Sequence, residues 1–134
     1  MEKIYSEVRP GELLHVVHFR SDFTKERFDF SPEKEFIQAT SLYSKTGRVV
    51  SAHKHLLQKK TTTITQEAIV VISGCLNVKY YDLDHKLIKK ITLNEGDCTL
   101  TFRGGHEFEI SPETRIYEFK TGPYFGKEKD KEDL

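Results

Sequence analysis

Two histidines separated by one residue, His53 and His55, lie in a stretch of strand-like composition, Arg48–His55. Side chains two apart on a strand leave the same face, so both imidazoles would converge on one ion. A third histidine, His106, follows Gly104-Gly105 and shares strand parity with Phe108 and Ile110. Glu67 opens the run Glu67-Ala68-Ile69-Val70-Val71-Ile72-Ser73, in phase with Ile69 and Val71. A carboxylate on the apolar face of a strand is costly unless it meets a cation or a fixed donor. His53, His55, His106 and Glu67 therefore form a candidate ligand set for one divalent metal ion. Such a set suits Fe, Mn, Ni, Cu or Zn, and the residues alone do not choose among them. A +2 ion beside one carboxylate favours a small-molecule ligand that is anionic or polar, bound in place of water. The ion would act as a Lewis acid on a carbonyl or as an oxygen-activating centre.

Each of these residues also has a plainer reading. A His-x-His pair often marks an exposed strand, and His106 would serve equally as a turn histidine bonded to backbone. Glu67 can orient a ligand histidine rather than bind the ion itself, and Gln58 offers a weaker amide oxygen in its place. His15 and His18 are three apart, so a strand sends them to opposite faces and joint ligation is not expected. His85 falls in a polar turn, and Lys59 and Lys60 read as a solvated loop tip. Arg103 lies next to the expected site, where it would either clamp an anionic substrate or sit at the surface. Tyr81, Tyr117 and Glu118 are the acid–base candidates, and strand register decides which of them face inward.

The elements needed to position these groups are short strands. Turn signals recur at Pro10-Gly11, Ser31-Pro32, Gly47, Gly74, Asp82-Leu83-Asp84, Asn94-Glu95-Gly96-Asp97, Gly104-Gly105, Ser111-Pro112 and Gly122-Pro123. The runs between them predict strands near Leu13–Arg20, Phe36–Tyr43, Arg48–His55, Gln66–Ser73, Cys75–Asp82, Lys86–Leu93, Asp97–Phe102, Glu107–Ile110 and Arg115–Lys120. Asp82-Leu83-Asp84-His85 predicts a hairpin, and Pro32–Phe36 a single helical turn with Ser31 at its start. This pattern indicates an all-β sandwich or barrel in one domain.

The 134 residues carry 21 Lys plus Arg against 21 Asp plus Glu. That balance supplies no broad field for nucleic acid or a membrane surface. The first residues lack the apolar core of a secretory signal, and no apolar run approaches the ~20 residues that span a bilayer. A cytoplasmic protein with free thiols at Cys75 and Cys98 is the expectation.

The spacing of these motifs resembles the cupins. Gly47, five residues, His53-x-His55, then Glu67, six residues and Gly74 follow the family's first motif, with eleven residues between His55 and Glu67 in place of three or four. Gly96, five residues, then Gly104 and His106 resemble the second motif, with Phe102 at its Pro, His106 one residue early and Ile110 at its Asn. The ending Glu118-Phe119-Lys120-Thr121-Gly122-Pro123-Tyr124 is similar to short single-domain cupins associated with polysaccharide or nucleotide-sugar gene clusters. The resemblance implies a double-stranded β-helix (a jelly-roll, or cupin barrel) over residues 1–125, followed by a charged, mobile tail at 126–134. It also implies an isomerase, epimerase or oxygenase acting on a carbohydrate-like or keto-acid substrate. The alternatives are a metal-anchored binding or sensing module, or a ketoisomerase-like cupin that works without metal. Exposed strand edges make a homodimer the expected assembly.

Overall fold

Hydrophobic alternation is clearest in Cys75–Tyr81, where Leu76, Val78 and Tyr80 are buried and the residues between them are half-buried. A computed structural model describing Met1–Leu134 places this strand at the centre of the smaller of two facing sheets. The strands are β1 (Glu2–Tyr5), β2 (Leu13–His18), β3 (Arg27–Asp29), β4 (Thr40–Leu42), β5 (Glu67–Ser73), β6 (Cys75–Tyr81), β7 (Leu87–Asn94), β8 (Cys98–Thr101), β9 (Gly105–Ile110) and β10 (Arg115–Lys120). A single helical turn, α1 (Lys127–Asp130), follows. The larger sheet has the order β1-β2-β8-β5-β10, the smaller β7-β6-β9, and β3 pairs with β4 as a separate ribbon. All pairings are antiparallel. The fold is all-β, and the two sheets face each other without closing into a barrel.

Alternation sorts the larger sheet into two apolar faces. Val17, Ile69 and Val71 point at the smaller sheet and pack with Leu76, Val78, Tyr80 and Leu93. Val16, Ala68 and Leu100 point the other way, where Phe30, Phe102 and the half-buried Phe28 and Ile37 cover them. Gly74 turns β5 into β6 with φ +86°, and a Cβ there would lie 2.8 Å from the Thr114 Cα. Only glycine meets both conditions.

Most expected strands are present with ends moved by a residue or two, and Arg115–Lys120 is found as expected. Two expectations need correction. Only Thr40–Leu42 of Phe36–Tyr43 is a strand, because side chains engage the preceding backbone first. The Gln38 amide donates to the carbonyls of Pro32 and Glu33, and the Ser31 hydroxyl accepts from the Ala39 N–H. Arg48–His55 is not a strand: it has no pairing partner, and every residue from Leu42 to Thr61 is exposed. Its valines suit a pleated surface, but strand structure needs a neighbour to pair with. No helix is long and apolar enough to cross a membrane.

Candidate functional site

Register builds a polar row across one end of the larger sheet. Lys120 on β10 pairs with Glu67 on β5, Glu67 with Thr101 on β8, and Thr101 with His15 on β2. Paired residues on antiparallel strands share a face, and this row continues the face that carries Ile69, Val71 and Val17 toward the smaller sheet. From the opposite sheet, β9 pairs with β6 so that His106 lies beside Tyr80 and Phe108 beside Val78, both of the latter buried. The His106 and Phe108 rings stack with centroids 4.6 Å apart.

The two sheets meet at Glu67. Its Oε1 lies 3.3 Å from His106 Nε2 and its Oε2 3.1 Å from Lys120 Nζ, while the side chain is 6% exposed. Lys120 also reaches Glu118 Oε1 at 3.0 Å. Burial by itself would raise the Glu67 pKa, but His106 and Lys120 outweigh it and hold the carboxyl well below the usual range. Burial would lower the Lys120 pKa, and its contacts with Glu118 and Glu67 reverse that and keep the ammonium charged. The 3.3 Å approach of His106 Nε2 to Glu67 Oε1 is an electrostatic contact without hydrogen-bond geometry, so that oxygen, like the far ring nitrogen, is left without a hydrogen-bond partner. That nitrogen, His106 Nδ1, is also buried.

A cavity of about 760 Å³ opens on this constellation, with Glu67, Thr101, His106, Phe108 and Glu118 in its wall. Beneath the wall, His15 Nδ1 lies 3.1 Å from Thr101 Oγ1, and its ring packs on Tyr80 at 4.7 Å. Burial, and secondly the charge of His106, lower the His15 pKa to about 3, so the imidazole is neutral. Its Nε2 has no partner. Gly104 allows the backbone to pass here: φ is +77°, and a Cβ would come within 2.7 Å of the Tyr81 carbonyl and 3.3 Å of His15 Nε2.

Of the four residues expected to bind one ion, the structure brings Glu67 and His106 together. His53 and His55 stand in the exposed segment, their rings 5.5 Å apart, with His53 Nδ1 2.9 Å from the Ser51 carbonyl. No group of three or more His, Cys, Asp or Glu side chains is arranged around a common point. As placed, the donor set does not fit one coordination sphere, and Glu67 already serves two cationic partners. Gln58, Lys59 and Lys60 lie in the same exposed segment.

The other candidates divide by register. Glu118 faces inward beside Lys120, whereas Tyr117 is exposed on the opposite face and Tyr81 donates its hydroxyl to Glu107 at 2.8 Å. Arg103 lines the cavity but is not a free clamp. It makes a forked contact with Glu35 at 3.0 and 3.2 Å and reaches Glu12 at 3.3 Å. His15 and His18 do face opposite ways: His15 packs on Tyr80, while His18 stacks on Phe30 at 4.5 Å. His85 sits exposed in the β6–β7 turn with φ +68°.

Two residues of the row, Lys120 and Thr101, were not singled out by sequence, and His15 was weighed only as a joint ligand with His18. Lys120 shares parity with Glu118, which was a usable signal, but its partnership with Glu67 depends on β10 lying beside β5. Thr101 and His15 acquire their roles only through the β2–β8 pairing. The charged tail also enters the site, since Asp130 through Leu134 contribute to the cavity wall. The chain matches no family model, no curated protein and no solved structure, so its function is argued from this geometry.

Proposed function

We propose that the chain is a jelly-roll protein of the cupin kind that binds a small carbohydrate-like or keto-acid molecule in this cavity and transfers a proton on it through His106. The observation that carries the reading is the His106–Glu67 pair in the cavity wall, with Lys120 on the other oxygen of Glu67. The cavity has the volume of a small-molecule site. Lys120 keeps Glu67 ionised, Glu67 orients His106, and His106 takes or gives the proton, with Glu118 beside Lys120 as a second carboxylate. Removing a positioned acid–base group costs about 10²–10⁴ in rate. The strand path supports the fold half of the reading: from β7 to β8, β8 to β9 and β9 to β10 the chain crosses between facing sheets each time. Jelly rolls are built by such crossings.

The test is a thermal-shift screen of sugars, nucleotide sugars and keto acids, followed by NMR of solvent-deuterium incorporation into each ligand that stabilises the protein. The expected result is a stabilising ligand that exchanges a carbon-bound hydrogen, with exchange lost in His106→Asn while binding persists. Binding with no exchange in the native protein makes it a binding or sensing module instead. The absence of any stabilising ligand refutes the reading.

A second reading keeps the divalent metal, and the spacing of His53 and His55 from Gly47 favours it. It requires those two side chains to reach His106. Metal analysis of the purified protein, with His53→Ala and His106→Ala beside it, decides: bound metal lost in both variants supports this reading. A metal-free protein whose melting temperature ignores chelator rejects it.

A further inference from the structure

The segment from Tyr43 to Thr61 has no strand or helix and is wholly exposed, including residues that water does not favour. Val49 is 90% exposed, Val50 62%, Leu56 76% and Leu57 101%. Scattered apolar residues at a surface are ordinary, but four in one unpaired stretch mark a surface that something covers. The segment is also charged one way. Lys45, Arg48, Lys54, Lys59 and Lys60 lie between Ser44 and Gln66 with no acidic residue among them, leaving sixteen cations against twenty-one acids elsewhere.

Four strand edges of the two facing sheets are open: β1, β10, β7 and β9. An open edge presents a row of free N–H and C=O groups to any extended chain. Charge separates the four. β7 carries Lys89 and Lys90, β10 carries Arg115 and Lys120 around one glutamate, and β1 sets Lys3 beside Glu2. β9 alone carries acids without Lys or Arg, through the exposed Glu107, paired with Lys79 on β6 at 2.7 Å, and the exposed Glu109. Its other face adds the half-buried Phe108 and the 54%-exposed Ile110, unfilled apolar contacts for an incoming strand.

We propose that the 48–57 segment is an exchanged arm: in a homodimer, the arm of each copy pairs with the β9 edge of the other. The occupant is a second copy of this chain because the acidic edge and the basic apolar arm are two parts of one molecule. Within the single chain no hydrogen bond joins them, the one side-chain bond of the arm being His53 to the Ser51 carbonyl. A reciprocal exchange satisfies both at once and closes the assembly by two-fold symmetry. β9 offers about 20 Å of edge, enough for six residues of the arm. The exchange also places His53 and His55 of one copy on the strand edge that carries His106 of the other. The cavity is then walled by both copies, and the inference holds whether the bound molecule is transformed or only held.

Light scattering on the native protein tests the assembly, and the expected mass is twice 15.6 kDa. Arg48→Glu/Lys54→Glu and, separately, Glu107→Lys/Glu109→Lys are each expected to shift the protein to monomer at micromolar concentration. All four side chains are exposed, and only Glu107 has partners, the surface contacts with Lys79 and Tyr81, so circular dichroism should stay unchanged. An equimolar mixture of the two variants pairs glutamate arms with lysine edges and native arms with native edges, so it should recover a heterodimer. Val49→Asp/Val50→Asp serves as an independent arm variant and should also be monomeric. A native monomer overturns the proposal, as does a dimer that both arm variants leave intact. Failure of the mixture to recover a dimer overturns the exchange as well.

Discussion

Glu67 is charged, nearly buried and shared between two sheets, so its environment governs what the site can do. Lys120 and His106 together keep it ionised against the cost of burial. Lys120→Met removes one of the two, and the Glu67 carboxyl is expected to titrate at higher pH, measured by carbon NMR of the side-chain carboxyl. An unchanged titration would mean His106 alone sets the charge. The same residues fix how stability responds to acid. Between pH 6.5 and about 3 the unfolded chain protonates His15 while the folded chain does not, so stability falls as pH drops through that window. Glu67 is held below its ordinary 4.5, so its contribution is complete above that pH and is lost as pH falls toward about 2. Melting temperatures should therefore decline in two stages on acidification. His15→Gln should shrink the upper stage, to which His18, its pKa also lowered by burial, contributes the rest, and leave the lower one; a decline that begins only below pH 4.5 in the native protein would contradict this.

At the scale of elements, two connections carry more than their length suggests. Gly74 turns β5 into β6 in a conformation that a side chain resists, with Thr114 backbone against the place a Cβ would take. Gly74→Ala is expected to cost about 1–3 kcal/mol in urea unfolding, and a neutral result would mean the turn relaxes freely. Glu35 ties the segment before β4 to the sheet, accepting from Arg103 and from the Gln66 amide at 2.6 Å. Glu35→Ala strands two donors and should cost about 1–3 kcal/mol by the same measurement. Legibility also varies by element. Cys75–Tyr81 and Arg115–Lys120 were readable because alternation or β-branched and aromatic content matched a strand that does find neighbours. Arg48–His55 has the same local content and no neighbour, a difference that no local pattern contains. β1 and β3 were missed because Glu2–Tyr5 and Arg27–Asp29 are short and charged, and pairing alone makes them strands.

For the whole molecule, the separation of charge matters more than its sum. A chain that is neutral overall holds a basic exposed segment and a correspondingly acidic body, which composition alone conceals. The candidate site shows the same dependence on assembly. Glu67 and His106 were legible because an apolar strand face makes a polar residue conspicuous, and the structure does bring them together across the sheets. Lys120, Thr101 and His15 were not, since each gains its role from a neighbouring strand. The most direct test of the central claim is nitrogen-15 NMR of the histidine rings during titration with a stabilising ligand from the screen. The expected result is a shift at His106 with His18, which lies outside the cavity, unmoved, weakened at least several-fold in Glu67→Gln. A stabilising ligand that leaves His106 unmoved, or binds Glu67→Gln as tightly as the native protein, would contradict it.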